Sequence, residues 1–289
     1  SLTLPDPSPI PVLIAVPHAG RAYSDELLGR MRDPAHACAR LEDRHVDRVA
    51  VALAAQTGAG LLVAHAPRAL IDLNRAPDDV DWDMFSLPSG ATVDLPRSPG
   101  RARTGLGLVP RRLPGFGEIW KRRQDGAEVG ERIAAVHAPY HACLAASLGA
   151  MRRRWGTVLL IDLHSMPPLP VRAGQPRPQL VLGDRFGASC DGRLVAAACA
   201  SLEQARRPIA HNRPYAGGYV LKRHGAPMRG VHALQLEIDR SVYLDSRLDQ
   251  PGDGLPGLVS DLALLVRALA GEVAAIGANA RNRCAEAAE

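Results

Sequence analysis

The chain has almost no lysine and few aromatic residues. Of its 289 residues, 35 are Lys or Arg, and Lys121 and Lys222 are the only lysines; Phe, Trp and Tyr together make up 4%. Aliphatic side chains and alanine must therefore do most of the packing in a chain that is 46% hydrophobic, a fraction that excludes a disordered protein. Cysteine is sparse and irregularly spaced. Cys38, Cys143, Cys190, Cys199 and Cys284 are odd in number and form no C-x-x-C pair, which argues against a disulfide framework and for a reducing cytoplasm. The first residues, SLTLPDPSPIP, lack a basic region followed by an apolar core, and no apolar run approaches the ~20 residues of a spanning helix. A soluble protein with no membrane partner is expected. Also absent are an internal repeat, a G-x-S-x-G nucleophile elbow and a phosphate-binding loop, since the glycines of YAGGY at 215–219 match none.

What is there is arginine. The net charge is +5 and the isoelectric point about 9.2. A guanidinium binds carboxylate or phosphate through two parallel hydrogen bonds, so a small acidic substrate suits this balance. The arginines from Arg97 to Arg112 and the RRRW run at 152–155 are the places where nucleic acid would bind. No recognised binding motif accompanies them and a charge run is usually a solvated face, so no nucleic-acid partner is expected. A homo-oligomer is left open.

At this length a single α/β domain over 1–289 is expected. Apolar runs at 12–16, 61–66, 69–73, 158–163, 180–183 and 231–238 read as strands, and periodic stretches at 38–57, 117–135, 138–155, 192–205 and 255–276 read as helices. The alternation predicts a three-layer mixed sheet flanked by helices. Three stretches lack periodicity: 77–114, an irregular insert expected to cover substrate, the proline-rich 167–178, and the glycine-rich 212–230, read as loop or hairpin.

Four of the strands end in, or contain, polar residues. In open α/β sheets ligands bind at the carboxyl ends of strands. VLIAVPHAG delivers His18, and VLLIDLHSMP delivers Asp162, His164 and Ser165. Either histidine alone is more often structural, but two at the ends of neighbouring strands point to one metal. Zinc chemistry needs a third ligand. Asp43 is the choice, read as sharing a helix face with Asp47, with Glu42 and Glu26 also open. Asp162, two residues before His164, is expected to orient that ligand, and Ser165 to supply an orienting hydroxyl. ALIDLNR ends in Asn74 and Arg75, read as a clamp for a substrate carboxylate, with Arg68 placed to polarise a carbonyl. Glu237, alternating with apolar residues in LQLEID, is a candidate general base; a buried ion pair with Arg240 is the competing reading.

The segments VPHAGRAY, EDRHVDRV, IDLNRAPDD, GLGLVPRR, HAPYHACL, LIDLHSMP, LVLGDRFGASCD, NRPYAGGYVLKRHG and HALQLEIDRSVYLD follow in this order from Val16 to Asp245. Together they resemble the N-formylglutamate amidohydrolase family, related to zinc carboxypeptidases and aspartoacylase. The resemblance implies a phosphorylase/hydrolase-like fold of the zinc carboxypeptidase type and one Zn2+ per chain. His18 and His164 would be the histidine ligands. Relatives in the carboxypeptidase branch carry H-x-x-E, but Arg21 stands three residues after His18, so the carboxylate ligand comes from elsewhere, Asp43 being the best match. Glu237 would be the catalytic glutamate, and Asn74 and Arg75 the substrate-binding pair; Arg240, Tyr215, Gly217 and Gly218 are further candidates for binding substrate. The implied reaction is hydrolysis of N-formyl-L-glutamate to formate and L-glutamate in histidine degradation. A deacylase for another N-acyl amino acid or small cyclic amide is the alternative on the same site, and a metal-free binding protein the alternative of another class.

Overall fold

A computed structural model describes residues 1–86, 100–171, 174 and 176–286, the last four by backbone alone. The centre of the expected insert, 87–99 with Arg97, and part of the 167–178 loop lie outside the described residues. By internal contacts the chain forms two compact units. The first comprises Ser1–Val16, Asp43–Val63 and Leu144–Glu289; the second comprises Pro17–Glu42 and Ala64–Cys143.

The first unit is built on a seven-stranded mixed sheet. Its strands are β1 (Leu2–Thr3), β2 (Val12–Val16), β3 (Gly60–Val63), β4 (Val158–Met166), β5 (Leu180–Gly183), β6 (Ile209–His211) and β7 (Val231–Asp239). They lie in the order β1-β3-β2-β4-β7-β5-β6, with β1 antiparallel to β3, β5 antiparallel to β7, and the remaining pairs parallel. Every residue of β2 and β4 is buried, as expected of central strands covered on both faces.

The helices are α1 (Asp25–Gly29), α2 (Pro34–Leu41), α3 (Val46–Thr57), α4 (Ala127–Arg132), α5 (Ala138–Trp155), α6 (Gly192–Gln204), α7 (Tyr219–His224) and α8 (Gly254–Glu286). Within the first unit α8 packs on α6 and α3, and α3 packs on β2 and β3. The three-layer α/β architecture expected from the alternation is what forms. No described helix is long and apolar enough to cross a membrane.

Four local expectations are corrected. The helix read over 38–57 breaks at 42–45, where Glu42 is extended and His45 takes a left-handed φ of 57° to start α3. Asp43 therefore does not share a helix face with Asp47. Residues 69–73 are not a strand, because their backbone finds no ladder. The N–H of Leu70 goes to Pro67, that of Asp72 to Leu108, and the carbonyls of Leu70 and Leu73 accept from Arg132 and His141. The helix read from 117 begins at Ala127, preceded by two-residue strands at Gly117–Glu118 and Gln124–Asp125, and it continues through a π-helical turn, Ile133–His137, into α5. Pro139 has no N–H to give, and the widened turn directly precedes it. Finally, 212–230 holds α7 and a 3-10 turn, Pro227–Arg229, rather than loop alone. The described flanks of the 77–114 insert likewise carry short elements, Trp82–Met84, Phe85–Ser86, Arg101–Thr104 and Arg112–Leu113.

Helix α6 offers a direct stability test. The side chain of Asp191 caps it, accepting from Arg193 N at 2.9 Å, and hydrogen bonds from Arg193 lower the carboxyl pKa to about 2. Asp191→Ala is expected to lose about 1 kcal/mol of unfolding free energy at neutral pH. Because the folded pKa is depressed, this contribution is full above the ordinary carboxylate range, ~4, and is lost as pH falls through about 2. Urea titrations of both proteins across that window check the convergence.

Candidate active site

In the first unit, β4 and β7 are paired so that His164 lies beside Glu237 and Asp162 beside Gln235. Polar groups on such buried strands must find partners or be costly, and each of these side chains finds at least one, Asp162 through Oδ2 alone. Nε2 of His164 donates to Asp162 Oδ2 at 2.9 Å, and its Nδ1 lies 3.0 Å from Asp43 Oδ2. Burial opposes protonation of this ring, but Asp162 and Asp43, with Glu237 beyond them, outweigh it and hold the pKa well above the ordinary histidine value. The break between α2 and α3 is what frees Asp43 for this contact. Arg240, also buried, donates from Nε to Ser165 Oγ at 3.1 Å and from Nη2 to Asp43 Oδ1 at 3.5 Å. Glu237 is buried and its Oε1 accepts from Gln235 Nε2 at 2.8 Å; Gln235 Oε1 in turn accepts from Gly218 N at 3.2 Å. The Tyr215–Gly218 loop is thereby tied to the base candidate through Gln235. At Gly217 φ is +113°, a conformation that favours glycine.

In the second unit, His18 is buried two residues past the end of β2. Its Nε2 donates to Asp72 Oδ1 at 2.7 Å, which leaves Nδ1 as its lone-pair donor. Asp72 is fully buried and also accepts from Arg68 Nε and from Asn74 N, each at 2.8 Å. Burial raises its pKa, but Arg68, His18 and Arg75 prevail and hold it well below the carboxylate range. Arg75 donates from Nε to Leu106 O and from Nη1 to Asn74 O. Burial lowers its pKa; Asp72 opposes that, while the like charges of Arg68 and Arg101 add to it. Such crowding of cations favours an anion nearby. Close backbone approach explains one glycine here: a Cβ on Gly20 would lie 2.1 Å from the Ala66 carbonyl oxygen.

His18, Asp43 and His164 each offer one ligand atom, and these atoms lie within 4.8 Å of one another, all on buried residues. Two imidazoles and a carboxylate are a donor set that could hold a metal ion. The competing carboxylates are placed elsewhere. Glu26 is largely exposed and pairs with Arg30; Glu42 is buried by Tyr23, whose hydroxyl pKa burial and the Glu42 charge push up; Asp47 lies in the first turn of α3. Arg240 sits on Ser165 and Asp43.

Sequence reasoning missed Asp72, Gln235, His137 and His141. For Asp72 a signal existed. LIDLN at 70–74 repeats LIDLH at 160–164, and the aspartate of each fixes an imidazole, Asp72 that of His18 and Asp162 that of His164. Asp72→Asn is expected to weaken divalent-metal binding about 10–100-fold, the usual loss when the partner of a ligating histidine is changed. Zinc competition against a chromophoric chelator measures it, and unchanged affinity would contradict the role.

The model of the N-formylglutamate amidohydrolase family matches residues 10–244. N-formylglutamate deformylase of Pseudomonas aeruginosa is 29% identical over 242 residues, covering 82% of this chain and 84% of that protein. The enzyme of the same name from Pseudomonas putida is 30% identical over 240 residues, covering 82% of each. The crystal structure of N-formylglutamate amidohydrolase from Ralstonia eutropha JMP134 superposes with a TM-score of 0.81 at 30% identity, covering 98% of both chains. By the extent of the family match and the identity of these relatives, the chain belongs to the N-formylglutamate amidohydrolase family.

Proposed function

We propose that this protein hydrolyses the amide bond of N-formyl-L-glutamate, releasing formate and L-glutamate, with one zinc ion held by His18, Asp43 and His164. The observation that carries the reading is the convergence of those three donors, with Glu237 the strand neighbour of His164. The names of the relatives at about 30% identity support the substrate.

A zinc ion there would act as a Lewis acid and lower the pKa of water toward ~7. The chain's own residues supply the rest. Glu237 takes the proton from the attacking water as the new C–O bond forms, and returns it to the amine nitrogen as the C–N bond breaks. Gln235 holds one oxygen of Glu237, which supports a fixed carboxylate pointing its other oxygen at the reacting atoms. Arg68, steadied at Nε by Asp72, stabilises the negative charge that develops on the carbonyl oxygen. Asn74 and Arg75 bind a substrate carboxylate, and Arg240, with Tyr215, Gly217 and Gly218, completes the substrate-binding set. Asp162 and Ser165 orient the groups around the metal through His164 and Arg240. A reaction in a reducing cytoplasm suits the cysteine pattern.

Glu237→Gln is expected to keep stoichiometric zinc yet lose about 10²–10⁴-fold in kcat for formate release. Metal analysis beside a formate assay tests both halves, and full turnover in this variant would remove the assigned base. Removing zinc with a chelator should abolish formate release by the wild type, and readdition should restore it; chelator-resistant turnover would contradict the metal's role.

A further inference from the structure

HAPYHACL holds two histidines four residues apart, which places them on one face of a helix. His137 closes the π-helical turn and His141 lies in the first turns of α5. They are 2% and 0% exposed, and their rings are 4.4 Å apart at their centroids, with the Tyr140 ring edge-on to His141 at 5.2 Å. Burying an imidazole is costly unless it is hydrogen-bonded, whereas an apolar residue would fill the same space without that cost. Both rings spend a nitrogen on the same short segment. Nε2 of His137 meets the carbonyl of Arg75 at 2.9 Å, and Nε2 of His141 meets that of Leu73 at 3.0 Å. A backbone carbonyl can only accept, so each Nε2 carries its proton and the two rings act as a pair of donors.

The two carbonyls flank Asn74. The N–H of Asn74 is held by Asp72 Oδ1, and the carbonyl of Asn74 accepts from Arg75 Nη1 at 2.9 Å. The guanidinium of Arg75 is thus referenced to the very backbone that the histidines grip. We propose that His137 and His141 are positioning residues for substrate: by holding the carbonyls on either side of Asn74 they set where Asn74 and Arg75 meet the substrate carboxylate. The inference rests on the reading above that Asn74 and Arg75 bind that carboxylate. It assigns the π-turn a task, since the turn leads directly into the register that puts both Nε2 atoms on one segment.

The test compares Leu, Asn and Gln at each position in the full-length zinc protein. Gln carries an N–H about as far from the backbone as histidine Nε2, Asn is one methylene too short, and Leu has none. The Leu and Asn variants are expected to raise KM for N-formyl-L-glutamate about tenfold with kcat within about threefold, the size of effect of one lost hydrogen bond, while Gln restores KM. Backbone amides of 72–75 should exchange with deuterium faster in the Leu and Asn variants and not in the Gln variants. If the Leu variants fail to fold, Asn against Gln decides. Equal KM and equal exchange in Asn and Gln variants would overturn the proposal. Should the wild type release no formate, the substrate reading fails by itself, and the exchange comparison alone supports or overturns the positioning role.

Discussion

Two carboxylate–imidazole hydrogen bonds, Asp72 to His18 and Asp162 to His164, determine which nitrogen of each ring can serve a ligand. A carboxylate at Nε2 fixes a proton there and leaves Nδ1 as the nitrogen that a ligand can use, which in His164 requires displacing the second proton that its raised pKa favours. Both aspartates are fully buried, where an uncompensated charge would be expensive. Each is compensated differently. Asp72 has Arg68 at 2.8 Å and the Asn74 N–H. Asp162 has His164 on one oxygen, while its Oδ1 finds no hydrogen-bond partner among the described residues. An unsatisfied buried acceptor costs about 1–3 kcal/mol, a penalty that makes sense where orienting a ligand matters more than stability.

The sheet makes this arrangement repeatable. Parallel pairing of β4 and β7 sets His164 against Glu237, and a slip of one residue would send every side chain to the opposite face. Alternation along β7 puts Gln235 and Glu237 on one face, which is why the amide can hold the carboxylate and at the same time receive the Gly218 N–H. One strand therefore fixes a base candidate and a loop of the proposed substrate-binding set together.

Much of this was legible in the sequence, and three of the parts that were not share a cause. The strands β2, β4 and β7 are apolar runs that end in or contain polar residues, so His18, His164, Asp162 and Glu237 stood out as site candidates. The run at 69–73 has the same composition yet is not a strand, because strand formation needs a neighbouring ladder, and here the carbonyls of Leu70 and Leu73 are taken by the side chains of Arg132 and His141. Composition cannot reveal that. Asp43 was placed on one helix face with Asp47 because periodicity ran one helix through 42–45, whereas the chain breaks there and Asp43 contacts His164 and Arg240. His137 and His141 read as ordinary helix residues until the carbonyls they serve are known. In these three cases a side chain far away in sequence meets the backbone or carboxylate in question.

The central claim is that a single metal ion joins His18, Asp43 and His164. X-ray absorption at the zinc edge of the protein loaded with one equivalent tests it most directly. The account predicts a shell of nitrogen and oxygen only, with scattering from two imidazoles that falls to one in His18→Ala and in His164→Ala. Sulfur in the shell, or a spectrum that neither substitution changes, would contradict it.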